Sequence, residues 1–277
     1  MRLASLHTYP VKGCHRLDHD TAVTQPWGLA GDRRWMVVND AGVGVTQREA
    51  TGLVRLRAEP RPGGLVLRAA DRSDLVVPEP VGSGHVPVRV FNNRMAVPAR
   101  PAGPAADEWL GDLLGRPVRL VWLGEPTRHL PDGSRPVDPG DRVSFADAYP
   151  ILLANQASLA ALNGWLADDG DEPLPMARFR PNLVVEGAEP WAEDGWVGKL
   201  IRVGAVEFLV AGGCDRCVVT TTDQETGVRG KQPLRVLAKH RRFGRDLLFG
   251  VHLVPRPVAG DLVGTLSVGD PVLVETG

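Results

Sequence analysis

Three cysteines in 277 residues, Cys14, Cys214 and Cys217, are too few for a disulfide framework, and their odd number leaves at least one thiol unpaired. A reducing compartment, the cytoplasm, is the expectation. The same scarcity excludes an internal four-cysteine iron–sulfur or zinc site. Long apolar runs are missing too. The opening Met1 to Pro10 is too short and polar before its proline to be the core of a signal peptide, and no later run approaches membrane-spanning length. Excess charge of either sign is also lacking. With 32 Lys and Arg against 33 Asp and Glu, the chain has no surplus of the kind that marks nucleic-acid binders, so any anion must be held by a local cluster. Neither nucleic acid nor a membrane is expected as a partner, and nothing in the pattern fixes an oligomeric state.

Hydrophobic residues make up 43% of the chain, enough to bury the core of one large domain or two intimate ones. Gly and Pro punctuate short Val-, Leu- and Arg-containing runs along its length, so the fold is expected to be mainly β. Hairpins are expected between Arg34–Val38 and Val43–Gln47, between Leu53–Ala58 and Leu65–Ala69, and between Val86–Val90 and Met95–Val97 across Asn92-Asn93. Helices are expected from about Ala105 to Leu114, stopped by Gly115, after the N-cap Asn155, and from Pro233 to Arg242. The acidic stretch 168–172 reads as a solvated loop. Strands resume over Leu247–Val254 and Pro271–Val274. The Pro- and Gly-rich segment Gly124–Arg142 suggests two domains, 1–120 and 121–277.

Chemistry concentrates in four segments. In the first, an apolar run enters Gly212-Gly213-Cys214-Asp215-Arg216-Cys217, expected as a Gly-rich turn that presents a thiol beside free backbone amides. Arg216 would favour a thiolate at its neighbour Cys217. Spacing alone leaves a structural pair, a redox couple or half of a zinc site. Zinc would need two more ligands, and His240 and His252 lack the spacing to supply them. A thioredoxin-like pair should open a helix, whereas the surroundings read as β. In Tyr9-Pro10-Val11-Lys12-Gly13-Cys14, Lys12 could neutralise a phosphate or pterin, or be a solvated lysine, and Cys14 reads as a small buried residue. Arg33 and Arg34, at a strand start, should face opposite ways, with Arg33 turned inward to a planar or phosphorylated ligand or paired with Asp32 at the surface. Arg180 and Asn182 share a face if their segment is extended and could clamp an anionic or heteroaromatic ligand.

Taken in order, Tyr-Pro-Val-Lys-Gly-Cys, Gly-Asp-Arg-Arg-Trp, Phe-Arg-Pro-Asn, Cys-Asp-Arg-Cys-x-x-Thr-Thr-x-Asp and Val-Gly-Asp-Pro-Val make the chain resemble the MOSC family from Leu3 to Val274, in particular its amidoxime-reducing branch and bacterial relatives. The resemblance implies an N-terminal MOSC β domain, a C-terminal MOSC β-barrel and a molybdenum cofactor (molybdopterin) between them. It implies that Cys217 ligates molybdenum, that Lys12, Gly13, Arg33, Arg180, Asn182, Asp215 and Arg216 surround the cofactor, and that Asp147 and Ala148 flank the same pocket. Cys214 would then be structural or lie behind the ligand. The implied activity is reduction of N-hydroxylated compounds, N–OH to N–H, with Asp147 as the one carboxylate placed for proton handling, if it is not simply a turn-forming Asp. The alternative within the family is a cofactor carrier or sulfur-transfer module. Neither a mitochondrial-type anchor nor a fused iron–sulfur domain is expected, so electrons would come from a separate donor such as a ferredoxin or flavoprotein. Lys239-His240-Arg241-Arg242 with Arg245 is either its docking patch or a solvated helix face.

Overall fold

The computed structural model describes residues 1–82, 84–91, 94–130, 138–256 and 263–275. Its strands are β1 (Arg2–Thr8), β2 (Leu17–His19), β3 (Thr21–Gln25), β4 (Gly28–Leu29), β5 (Trp35–Val38), β6 (Arg57–Arg61), β7 (Gly64–Arg68), β8 (Leu75–Pro78), β9 (Val86–Val88), β10 (Val97–Pro101), β11 (Arg119–Trp122), β12 (Ile151–Asn155), β13 (Leu183–Glu186), β14 (Leu200–Val203), β15 (Val206–Asp215), β16 (Arg242–Phe243), β17 (Asp246–Arg256), β18 (Gly264–Ser267) and β19 (Val272–Val274). Among the described residues the α-helices are α1 (Pro104–Leu114), α2 (Gln156–Asp168) and α3 (Leu234–His240). The mainly β class follows from the sequence pattern: short runs rich in Val, Leu and Ile, some alternating in burial as in β14 and others buried throughout as in β5 and β12, are separated by turn residues.

The largest sheet runs β19-β14-β15-β17-β12-β13-β1-β2, with β16 hairpinned onto β17. All its pairings are antiparallel except β12 with β13, which are parallel and joined through α2. The first strand of the chain therefore lies in the sheet built from its second half, with Leu3 and Leu6 buried beside Leu183, Phe208 and Val251. A continuously laddered barrel does not form. β19 has three residues, and among the described residues the turn before it meets β1 through the bridge Arg2↔Pro271 and the flanking bonds Leu3 N to Asp270 O, Gly269 N to Leu3 O and Val272 N to Met1 O, not through a strand ladder. Smaller sheets β5-β11-β10-β9 and β6-β7-β8 enclose a second core around Tyr9, Trp35, Leu53, Leu110 and Leu120.

Two helices match their sequence signals closely. Gly115 ends α1 in the left-handed region at φ 64°, and the Asn155 side chain accepts a hydrogen bond from Ala157 N at the start of α2. α3 is shorter than expected, with Pro233 ahead of its first turn. The second hairpin is displaced: Thr51–Arg55 forms a 3-10 turn that buries Leu53 and Val54, and β6 begins only at Arg57. In the first hairpin, Val45 N bonds Val37 O, but the returning chain makes only the bridge Val38↔Gly44 and diverts to Arg89. β9 pairs with β10 as expected, and the Asn92-Asn93 turn lies outside the described residues, as does the 131–137 part of the Gly124–Arg142 segment.

Candidate functional site

Where the two cores meet, a cavity of about 370 Å³ opens. Its lining includes Lys12 and Gly13, Arg33, Asp147 and Ala148, Arg180 and Asn182, and Asp215, Arg216 and Cys217. Segments far apart in sequence converge because β1 leads out of the large sheet into the N-terminal core, carrying Tyr9 to Gly13 across the boundary. Gly13 takes φ 84°, and a Cβ there would lie 3.1 Å from Leu53 Cδ1, so this close turn requires glycine.

Tyr9 is the pivot. Its ring lies between two guanidinium groups, Arg33 at 4.6 Å and Arg180 at 4.1 Å, and its hydroxyl donates to Pro181 O at 3.0 Å. Burial pushes its phenol up to about 12, so it stays neutral. Both arginines have positive φ, 48° and 54°, a strain of about 1–3 kcal/mol each for residues with a Cβ. Arg33 therefore sits in a turn before β5 rather than in the strand, and it turns inward while also pairing with Asp32, which is buried rather than at the surface. Arg180 ends a 3-10 turn in the left-handed region, so the expected extended clamp does not exist. Arg180 donates to Cys14 O and to Gln224 Oε1, both at 2.8 Å. Asn182 holds the wall together: its Oδ1 accepts from Arg33 (3.1 Å) and from Leu152 N (3.2 Å), and its Nδ2 donates to His7 O (3.1 Å).

Lys12 is buried and donates to Phe145 O at 2.8 Å and to Asp147 Oδ1. Desolvation lowers its ammonium to about 8, against the opposing pull of Asp147. The Asp147 side chain is 52% exposed at the cavity wall. Desolvation opposes its ionisation, but Lys12, Arg48 and Arg33 together hold it well below the usual carboxylate range.

The thiol segment differs from the expected Gly-rich turn. β15 continues through Gly212 and Gly213 to Asp215, with irregular register at both glycines, and the chain turns only at Arg216-Cys217. Arg216 does not serve Cys217: its Nη1 lies 2.7 Å from Cys214 Sγ and its Nη2 donates to Phe179 O at 2.6 Å. Side chains of neighbouring residues diverge here, so the arginine reaches two positions back. Burial opposes ionisation of Cys214, but Arg216 and His252 outweigh it and bring the thiol down to about 7. The half-buried Cys217 instead receives Arg48 Nη2 at 3.3 Å. Asp215 turns its carboxylate to Leu247 N at 2.8 Å, a role in fixing the turn. Cys14 is fully buried and its thiol is pushed up to about 11 by burial.

Arg48, Gln47 and Tyr149 line the same cavity and were not singled out from the sequence, and His252, weighed there only as a zinc ligand, lines it too. Arg48 lies in a stretch without a motif, yet its exposed head reaches both Cys217 and, at 3.6 Å, Asp147 Oδ2. The basic segment after α3 is rearranged: Arg241 is buried, bonds Asp194 at 2.6 Å and stacks on Trp191, while Lys239 bonds Asp169. Of the five basic side chains, His240 stacks on Trp165, and Arg242 and Arg245 are exposed with no side-chain partner among the described residues.

Lys12, Arg33, Arg48, Arg180 and Arg216 face Asp147 and Asp215 across this space, so the site belongs to the class of cationic pockets that hold an anionic group and present a soft sulfur donor beside it. The chain matches the MOSC N-terminal beta barrel domain over residues 1–117 and the MOSC domain over residues 140–273. It belongs to the MOSC family. It is 32% identical to human mitochondrial amidoxime-reducing component 1 and 32% identical to human mitochondrial amidoxime reducing component 2, in each case over 98% of this chain and 82% of the relative. It is also 30% identical to the molybdenum cofactor sulfurase of Oryza sativa subsp. japonica, over 91% of this chain and 32% of that protein. No helix among the described residues is long and apolar enough to cross a membrane.

Proposed function

We propose that the cavity holds a molybdenum cofactor with Cys217 as the protein ligand to the metal, and that the protein reduces N-hydroxylated compounds with electrons from a separate donor. The observation that carries this reading is the placement of a half-buried thiol, Cys217, on the wall of a cationic cavity between two β cores, in a chain similar to amidoxime-reducing components over nearly its whole length. The donor set suits the cofactor. A thiolate is a soft ligand, the surrounding cations suit a phosphorylated pterin, and the buried Nε of Arg216 and Nδ1 of His252 have no hydrogen-bond partner among the described residues.

In this reading Lys12, Arg33 and Arg180 neutralise the anionic end, Gly13 lets the backbone approach, and Ala148, Asp215 and Arg216 complete the wall around Cys217. Asn182 acts indirectly by fixing Arg33. When bound, the cofactor supplies two-electron redox chemistry, and with two protons N–OH becomes N–H and water. Asp147, held ionised by its cations, is too weak a base to take up a proton near neutral pH and instead anchors Lys12, which, lowered to about 8, is the group of the pair that can give up and regain one. Arg48 donates to Cys217 and thereby orients the sulfur.

The test is molybdenum content together with donor-driven conversion of benzamidoxime to benzamidine, for wild type and Cys217→Ser made in a cofactor-competent host. Metal and turnover in the wild type, with turnover lost in the variant, are expected. Metal without turnover, with transfer to an apo-enzyme, would favour a carrier instead, a reading that the similarity to a cofactor sulfurase keeps specific. Absence of molybdenum overturns both.

A further inference from the structure

On the large sheet, away from the cationic cavity, a second and broader concavity of about 770 Å³ shares none of its lining residues. Ser5 and His7 point to the same face of β1, two residues apart, and Asp18 of β2 is the register partner of His7. His7 Nδ1 lies 2.8 Å from Asp18 Oδ1, and His7 Nε2 lies 3.0 Å from Ser5 Oγ. A carboxylate can only accept, so Nδ1 carries the proton, Nε2 is left as an acceptor, and the Ser5 hydroxyl must be the donor. Arg16 Nε, 2.9 Å from Asp18 Oδ1, fixes the carboxylate, and His7 itself is buried. Desolvation keeps the His7 imidazole below its usual value despite Asp18, with Arg16 and His19 also opposing protonation, so at neutral pH it is an unprotonated base.

We infer that Ser5, His7 and Asp18 form a nucleophilic triad that takes an acyl group from small esters of apolar acids. The hydrogen-bond order is the one that activates a serine: acid to Nδ1, Nε2 to hydroxyl. Leu159, Ala160, Met176 and Val184 give the concavity apolar walls for an acyl chain. Gln156, the first residue of α2, also lines it, which brings the helix N-terminus to the rim of the concavity, with the Ala157 N–H already taken by the Asn155 cap. In the step itself, Ser5 Oγ bonds to the ester carbonyl carbon as its proton passes to His7 Nε2. The carbon–alkoxy bond then breaks, and the alcohol leaves with that proton. Water, deprotonated by His7, attacks the acyl carbon, and the carboxylic acid departs as Ser5 recovers its proton. Asp18 positions the imidazole.

The experiment combines labelling with a fluorophosphonate, located by peptide mass spectrometry, with hydrolysis of p-nitrophenyl butyrate. Wild type, Ser5→Ala and Asp18→Asn are compared as the full chain, with circular dichroism to establish that each is folded. Asp18 is largely exposed, so its variant tests positioning without disturbing the core. The expected result is an adduct on Ser5, its loss in Ser5→Ala, and labelling and hydrolysis slowed by at least about 100-fold in Asp18→Asn, with the wild-type rate already at its plateau by pH 7. Absence of an adduct on Ser5, or labelling at an unchanged rate in Asp18→Asn, overturns the triad. Neither outcome depends on molybdenum.

Discussion

At the scale of single residues, the two thiols of Cys214-x-x-Cys217 are differentiated by which cation reaches each. Arg216→Ala removes the group that most favours the Cys214 thiolate and leaves the desolvation that opposes it. The midpoint of thiolate absorbance, read in a Cys14→Ser, Cys217→Ser background, is expected to climb from about 7 past the ordinary thiol value of about 8.5. An unmoved midpoint would show that His252 alone sets it. The Lys12–Asp147 pair makes a second prediction. The unfolded chain keeps the lysine proton up to the usual 10.5, whereas the folded protein gives it up near 8, so the unfolded state binds more protons between those values and stability rises with pH across that window. Asp147 has the same sign in its own, acidic window: its lowered pKa contributes stability present at neutral pH and lost as pH falls through the folded value. Asp147→Asn should therefore cost about 1–3 kcal/mol at pH 7, discounted for a half-exposed partner, and less at pH 10, where Lys12 is neutral in the fold. Urea unfolding at both pH values measures it, and a cost independent of pH would mean the lysine is not the group being compensated. The sequence exposed these residues unevenly. Lys12, Arg33 and Cys217 stand in recognisable segments, while Arg48 follows the expected Arg34–Val38/Val43–Gln47 hairpin in a stretch with no motif, and nothing local shows that its head reaches the sulfur.

At the scale of elements, legibility followed how local the stabilising interaction is. α1 and α2 were visible because a cap and an apolar stripe lie within one helix: Gly115 for the first, and Asn155 with Leu162 and Leu166 for the second. β6 was displaced because its start depends on burial of Leu53 and Val54 against distant residues, and β15 was cut short because glycine, a turn residue in most settings, here permits close packing against β17. A Cβ on Gly213 would lie 2.9 Å from Leu248 Cδ1. Asn155 has a further duty beyond its cap, since its Nδ2 donates to Glu193 Oε2 at 3.0 Å and to Glu189 O at 2.9 Å. Glu193 is wholly buried, and desolvation raises its carboxyl above the usual value. Asn155→Ala thus loses an N-cap and strands part of a buried carboxyl, and should destabilise by about 2–4 kcal/mol in denaturant titration. A loss near 1 kcal/mol would mean that Ser158, 2.9 Å from the same oxygen, suffices.

At the scale of the whole molecule, the cationic cavity is a junction. Gln47 and Gln224 exchange reciprocal amide hydrogen bonds of 3.1 and 3.0 Å across it, Arg180 donates to the same Gln224, and Arg33 reaches Asn182. The Gln47–Gln224 and Arg33–Asn182 links each join a residue of the first hundred to one beyond 175, so that part of the wall exists only while both cores are folded. A group bound there stabilises both at once. At a hundredfold excess over its Kd such a ligand contributes about 2.7 kcal/mol, which for a chain of this size amounts to roughly 5–10 °C in Tm. Protein made in a host deficient in molybdenum cofactor should therefore melt lower by that amount, in a single calorimetric transition that moves as a unit. Two separated transitions, only one of them sensitive to the cofactor, would place the ligand within one core and remove the junction from its binding site. An unchanged Tm in protein whose metal content does differ would show that the group is held too weakly for the five cations around the cavity to be its anchors.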